Sequence, residues 1–459
     1  MIDEKELAKL SYAEAPVMKT AVPGPEATKY LEDSFDTESM ARGGGRYPMV
    51  FAEGQGCTVK DPDGNVFLDI TAGVAVNSVG RCHPRVIAAM QNQMGKLMHA
   101  SDVSNVKRTE LAKKISTVAP PGLRGNCISY FTQGGSDAVE TAIKFTRKMT
   151  GRSQIVAFHG AYHGVWLGTN SLTTGDQYRA GYGPFMPGVI HLPYPYCYRC
   201  PFGMEYPGCN LQCAKYADYV LNTPYTAADD VGAVIIEAQQ GESGYVPAPP
   251  GYLESLKKSC EKHGALYISD EVQAGAGRTG KMWCIEHYDV EPDMITFGKG
   301  MGGDVPIAGL VMRKDLAEKI ADNSQPNTWA GNAMICAASL ANIEILTEND
   351  QALIKRCAEL GEEISAKLRD AAKDIEIIGD VRGRGLMIGI EMVEDKESKT
   401  PLDGDKVGGI VMDLLDKGVL MVPCGRFGNV FRFMPPLVIT REYAFKATDI
   451  FLDAVKKVK

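Results

Sequence analysis

Two stretches decide the architecture: Ala265-Leu-Tyr-Ile-Ser-Asp270-Glu271 and Met294-Ile-Thr-Phe297-Gly298-Lys299-Gly300. Each is a short apolar run with β-branched and aromatic residues, which suits a strand buried on both faces. Each ends abruptly in chemistry, one in a carboxylate pair and the other in a lysine between glycines. In parallel α/β sheets ligands bind beyond the carboxyl ends of the strands, so Asp270 and Lys299 are expected on one rim. Working outward, apolar runs at 128–131, 155–158, Val231–Ile236 and 307–312 alternate with helical patterns at 136–149 and Tyr252–His263. In the first of these helices Ala138, Val139, Ala142 and Ile143 recur at helical spacing. The alternation predicts an α/β fold with a large, mostly parallel sheet covered by helices.

Beyond about 333 the rhythm changes to longer helices, at 333–346, 350–372, 405–417 and 441–457, with strands at Met387–Met392 and 430–434. A smaller α+β unit is expected there. The expected organisation is residues 1–75 as an amino-terminal arm and part of the small domain, 76–332 as the large domain, and 333–459 as the carboxy-terminal small domain. The first ~45 residues read as an irregular arm, because Pro16, Pro23, Pro25 and Gly43-Gly44-Gly45 interrupt them. Asp61-Pro-Asp-Gly64 between apolar alternations predicts a hairpin over 58–68.

Composition narrows the function classes. With 459 residues, two or three units are expected. Lys+Arg 49 against Asp+Glu 57 gives 49 − 57 = −8, which argues against nucleic acid or an anionic membrane as partner. No apolar run approaches the ~20 residues of a membrane span, and the charged start Met1-Ile-Asp-Glu-Lys lacks the apolar core of a signal peptide. The chain is expected to be cytoplasmic, so its 12 cysteines are not expected to form disulfides by default.

The strand ends supply the candidate site. Val231–Ile236 runs into Glu237, and 128–131 runs into Thr-Gln-Gly134-Gly135-Ser136 and a helix. Gly135 and Ser136 at a helix amino terminus offer N–H groups, a hydroxyl and the positive dipole end to a phosphate; the same residues also read as a simple helix cap. A desolvated Lys299 would have a lowered pKa suited to Schiff-base chemistry, or it is a surface lysine in a turn. Asp270 would hold a ring nitrogen protonated, or cap a loop. Gly275-Ala-Gly-Arg-Thr-Gly280-Lys281-Met282 approximates a nucleotide-binding P-loop, yet Met282 stands where Ser or Thr should bind Mg²⁺. Finally, Cys197, Cys200, Cys209 and Cys213 form a Cys-x2-Cys-x8-Cys-x3-Cys cluster in an insertion at 194–214. They read as a structural zinc or iron–sulfur site, or as free or disulfide-paired thiols.

Taken together the motifs resemble the class III (ω-amino acid type) aminotransferases, pyridoxal-phosphate enzymes of fold type I, the aspartate-aminotransferase fold. The residues carrying the likeness are Phe131-Thr-Gln-Gly-Gly-Ser-Asp-Ala-Val-Glu140, Phe158-His-Gly-Ala-Tyr-His-Gly164, Ile236-Glu-Ala-Gln-Gln-Gly241, the run Ser269 to Gly280, Thr296-Phe-Gly-Lys-Gly300, Asn327-Thr-Trp-Ala-Gly-Asn332 and Val430-Phe-Arg-Phe-Met-Pro-Pro436. The resemblance implies that Lys299 carries pyridoxal 5'-phosphate and moves the proton, and that Asp270 pairs with the pyridinium nitrogen. It implies that Gly135, Ser136 and, across a dimer interface, Thr328 bind the phosphate. Tyr162 and Val272 would face the ring, with Gln273 at its phenolic oxygen and Glu237 beside them. Arg432 would clamp a substrate carboxylate, Glu242 would pair with it when an ω-amino donor is bound, and Val74 would line the substrate pocket. The implied activity is ping-pong transfer of an amino group from an ω-amino acid or related amine, in the manner of 4-aminobutyrate aminotransferases, to an α-keto acid, in a homodimer or dimer of dimers. A racemase or lyase on the same fold is the alternative. Gly134-Gly-Ser-Asp-Ala-Val139, Glu237-Ala238 and Gly331-Asn332-Ala333 depart from the family's usual wording and mark a divergent branch.

Overall fold

In the computed structural model, which describes residues 2–41 and 47–458, the chain does not begin as an irregular arm. Pro25–Thr37 is a helix. Pro25 occupies its first turn, where the missing N–H costs nothing, so the residue taken for a breaker is an initiator. The helix start is capped from outside, since Asp63 accepts hydrogen bonds from Glu26 N (2.9 Å) and Ala27 N (2.8 Å). The Gly43-Gly44-Gly45 run lies outside the described residues. Three strands follow, β1 (Glu53–Gln55), β2 (Thr58–Lys60) and β3 (Val66–Asp69), with the expected hairpin turn between β2 and β3.

The central sheet uses β4 (Cys127–Thr132), β5 (Gln154–Phe158), β6 (Val189–Leu192) and β7 (Val231–Ile236). A small hairpin, β8 (Gln239–Gln240) with β9 (Val246–Pro247), lies outside it. The sheet resumes with β10 (Leu266–Asp270), β11 (Met294–Phe297) and β12 (Ala308–Arg313). Its order is β4-β12-β11-β10-β7-β5-β6. Only β12 runs against its neighbours, so the carboxyl ends of the other six share one rim. The fold is therefore α/β with a large mixed, mostly parallel sheet. The register sets Asp270 beside Thr296 and Ser269 beside Ile236, which brings the ends of β10, β11 and β7 level. Every residue of β7 and β11 is buried, as their unbroken apolar runs require.

The carboxy-terminal part carries β13 (Ile378–Arg384), β14 (Met387–Met392), β15 (Val419–Leu420), β16 (Pro423–Cys424) and β17 (Val430–Phe433). β13, β14, β17 and β16 make an antiparallel sheet, whereas β15 pairs in parallel with β3 and joins the two ends of the chain. The helix Ala333–Ala371 breaks at Glu348–Gln351, where Asn349, Asp350 and Gln351 take positive φ, close to the expected boundary between two helices.

Candidate active site

Asp270 closes β10 and is 4% exposed. Its Oδ1 accepts from Thr296 Oγ1 (2.9 Å) and from Val272 N (3.0 Å), and its Oδ2 lies 2.7 Å from His163 Nδ1. A carboxylate offers about four acceptor sites, so three partners leave one for a further N–H. Burial opposes charge on His163, but the hydrogen bond and charge of Asp270 outweigh it and raise the imidazole pKa. His163 is the residue that sequence reasoning missed: it stood in the quoted 158–164 motif, yet its partner is 107 positions away.

Lys299 follows β11 by two residues. It is partly buried and takes φ +43, a conformation a lysine adopts only under constraint from its surroundings. Gly300 makes this turn fit, because a Cβ there would lie 2.4 Å from Ser78 Oγ. Burial lowers the Lys299 pKa to about 8; Arg432 adds to the effect, while Glu242, Asp270 and Glu237 oppose it. The bland reading of Lys299 as a surface residue is thereby set aside.

The helix Gly135–Thr150 opens on the same rim with Gly134 as its N-cap and no side-chain cap. Ser136 does not cap it; its Oγ accepts instead from Val165 N at 3.3 Å. The first N–H groups of this helix of 16 residues thus remain for an anion. Val272 packs closely here, since a Cβ on Gly135 would sit 2.8 Å from its Cγ1. Gln273 lies against Gly241, and its buried Oε1 has no partner.

Glu237, directly after β7, accepts from Tyr162 N (3.1 Å) and Gly241 N (2.7 Å). Burial pushes its pKa up to about 7. The Tyr162 ring meets Tyr178 edge-on at 5.0 Å. Tyr178, also missed in the sequence, reaches Glu242 Oε1 at 3.4 Å. Arg432 on β17 is 7% exposed; its Nη1 lies 3.0 Å from Glu242 Oε2, and its Nη2 donates to Pro423 O at 3.0 Å. Arg432 Nε is buried without a partner. Glu242 is therefore no freely solvated loop carboxylate. Val74 is partly buried at φ +59 in the turn Ala72–Ala75, which packs against the Lys299 turn.

The class III aminotransferase family model matches residues 39–455. The chain belongs to the class III aminotransferases. It is 37% identical over 450 residues to the alanine/serine racemase of Pyrococcus horikoshii, covering 96% of this chain and 93% of that protein. It is 37% identical over 403 residues to the 5-aminovalerate aminotransferase of Pseudomonas putida, covering 87% and 92%. Among solved structures it is similar to the ornithine aminotransferase of Toxoplasma gondii, which holds pyridoxal phosphate at partial occupancy in its active site. That likeness has a TM-score of 0.82 and 27% identity, and covers 94% of both chains. The fold is fold type I, and the family's cofactor is pyridoxal phosphate.

The residues present fit that cofactor. Asp270 has an acceptor site to spare, Gln273 Oε1 is an orphan buried polar atom, Gly135 has no room for a side chain, and the amine of Lys299 is desolvated. Thr328 is exposed on the 325–330 segment, where its carbonyl lies 2.7 Å from His99 Nε2. The P-loop-like segment does not lead from a strand directly into a helix, as a nucleotide-binding loop must. It is a series of turns under the helix Ala333–Ala371, with Cβ positions on Gly277 and Gly280 2.8 Å from Ile354 and 2.6 Å from Ala358. Arg278 within it is fully buried, and Lys281 donates to Glu286 O at 2.5 Å. All 12 cysteines are free, and the clustered four line a pocket of their own. No described helix is long and apolar enough to cross a membrane.

Proposed function

We propose that the protein transfers an amino group from an ω-amino acid or related carboxylated amine to an α-keto acid by ping-pong half-reactions. The observation that carries this reading is the Glu242–Arg432 pair. A buried guanidinium with one orphan N–H and one N–H held by a movable carboxylate serves two substrates in turn. With Glu242 in place the Arg432 charge is neutralised, which suits a donor without a carboxylate beside its amino carbon. With Glu242 turned away, Arg432 takes the carboxylate of the keto acid.

Pyridoxal phosphate, when bound, supplies an electron-sink ring that stabilises the carbanion formed at the substrate carbon. The chain's own residues do the rest. Lys299 would hold the cofactor, and its amine, neutral when deprotonated, would move the proton at the substrate carbon. Asp270 keeps a proton at the ring nitrogen and is itself held by Thr296, Val272 N and His163. Gly135 and Ser136 would bind the phosphate, Tyr162 and Val272 would face the ring, Gln273 would meet its phenolic oxygen, and Val74 would line the substrate side. The enzyme works as a homodimer in which the partner subunit's Thr328 completes the phosphate site. Thr328 itself is exposed, as are its neighbour Trp329 (60%) and, on the 97–103 stretch that meets its segment through His99 and Asp102, Leu97, Met98 and Val103, apolar side chains of the kind an interface covers.

The racemase relative at 37% identity gives the second reading, amino-acid racemisation on the same residues. Incubation with a panel of amines and amino acids, with and without an α-keto acid, separates the two. Turnover of ω-amino acids only when keto acid is present supports transfer. Sustained inversion of L-alanine or L-serine without an acceptor, and no transfer from any ω-amine, refutes it.

A further inference from the structure

The insertion at 194–214 is the one motif the transfer chemistry does not use. It leaves β6 and contains only a single turn of helix, Cys197–Arg199, before the helix Gln212–Asn222 begins. So short a segment has no core of its own and needs a fastening. On its outer side it is bolted to the small sheet. Tyr196 Oη donates to buried Glu391, Arg199 Nε donates to Glu391 Oε1 at 2.5 Å, and Arg382 Nη1 lies 2.6 Å from Glu391 Oε2. Arg382 Nε in turn donates to Gly244 O at 2.9 Å, two residues beyond Glu242.

The inner side holds the cysteines. Cys197 and Cys200 bracket the single helical turn Cys197–Arg199, and after Cys200 the chain reverses in a tight knuckle, with Gly203 N donating to Cys200 O at 3.0 Å and Gly203 at φ +64. Asn210 and Leu211 take φ +47 and +53, a costly choice for leucine. That turn returns the chain so that Cys213, second residue of the helix Gln212–Asn222, faces the knuckle together with Cys209. All four cysteines line one cavity of ≈ 20 Å³, walled otherwise by groups such as Pro195, Phe202 and Pro249. That volume admits about one water-sized body, the scale of a single ion. The sulfurs line the cavity without converging. Among the described residues no three His, Cys, Asp or Glu side chains are already gathered as a metal site, so binding requires the four thiols to draw together.

We propose that Cys197, Cys200, Cys209 and Cys213 bind one Zn²⁺ as a tetrathiolate that fastens the insertion. Four thiols release four protons: Zn²⁺ + 4 RSH → [Zn(SR)₄]²⁻ + 4 H⁺. With four protein ligands the site is closed and structural, and no coordination position remains for substrate.

The test is metal analysis of the full-length holoenzyme, expressed with zinc and iron available and purified anaerobically without a metal-affinity step. The expectation is about one zinc per chain, falling below about a tenth in Cys200→Ser and Cys213→Ser. Should those variants fail to fold, wild-type protein grown on cobalt must show the intense visible d–d bands of tetrahedral cobalt thiolate, to the red of cofactor absorption. Zinc-free and cobalt-free wild type, iron with acid-labile sulfide, or a disulfide within the cluster overturns the proposal.

Discussion

Replacing Arg432 with alanine separates the two half-reactions that the pocket is argued to serve. The guanidinium is 7% exposed, with Nε unpartnered and Nη1 held by Glu242 at 3.0 Å. An arriving carboxylate can therefore gain two charge-assisted hydrogen bonds, worth about 1.5–3 kcal/mol each. Parting Glu242 from Arg432 returns about 1 kcal/mol of this, because the Glu242 side chain keeps 25% of its exposure. The net of about 2–5 kcal/mol corresponds to a loss of roughly 30- to 4,000-fold in kcat/KM for the keto acid, at about 1.4 kcal/mol per tenfold. The donor half-reaction with an ω-amine does not spend those bonds, so it should fall by less than about tenfold. Stopped-flow measurement of each half-reaction alone reads both values. Arg432→Lys should fall between wild type and Arg432→Ala, since it keeps the charge and loses the fork. Equal losses in the two half-reactions, or a keto-acid loss under about threefold, would refute the switch.

Other consequences can be checked independently. Asp270→Asn should lower turnover by roughly 10²–10³-fold, the scale for removing one preorganised electrostatic partner. In the same variant the His163 pKa should fall, since burial remains and the main carboxylate that offsets it is gone, leaving Glu237 alone to oppose it; a proton NMR titration of the imidazole checks this. A lowered pKa means that the neutral amine of Lys299 appears at lower pH, so apoenzyme should take up pyridoxal phosphate with a rate that rises through pH about 8 and then levels. Continued acceleration toward ~10.4, the ordinary lysine value, would contradict that desolvation. Gly361→Ala, within the helix Ala333–Ala371, should destabilise despite the ~1 kcal/mol of helix propensity that alanine adds. Its Cβ would sit 2.0 Å from Gly385 O, a backbone atom, so thermal unfolding should begin at lower temperature.

What the sequence made legible follows from locality. β7, β11, β14 and the helix Tyr252–His263 stand at the bounds read from the sequence; β7, β11 and the helix are uninterrupted patterns stopped by a charge or by Gly, at Glu237, Gly298 and Gly264. The helix Pro25–Thr37 was hidden by a proline whose effect depends on its position in the first turn. β6 was overlooked because Val-Ile-His-Leu is short and Pro193 follows it. β13 was overlooked because Gly379 and Gly383 interrupt it and charged residues dominate it, which an edge strand tolerates. In the site, Asp270 and Lys299 were visible as strand-end residues. His163 and Tyr178 were not, since their roles depend on partners 107 and 64 positions away. The Ser136 ambiguity was resolved only by the structure, which gives the cap to Gly134 and the Ser136 hydroxyl to Val165 N.

The most direct measurement is borohydride reduction of the holoenzyme followed by peptide mass mapping. Lys299, desolvated at the end of β11 on the same rim as Asp270, is the residue assigned to carry pyridoxal phosphate. The cofactor mass should appear on the peptide containing Lys299 and on no other, and the label should vanish in Lys299→Arg. A label on another lysine, such as Lys281 in the glycine-rich turn, or no label on a protein that turns over amines, would contradict the account.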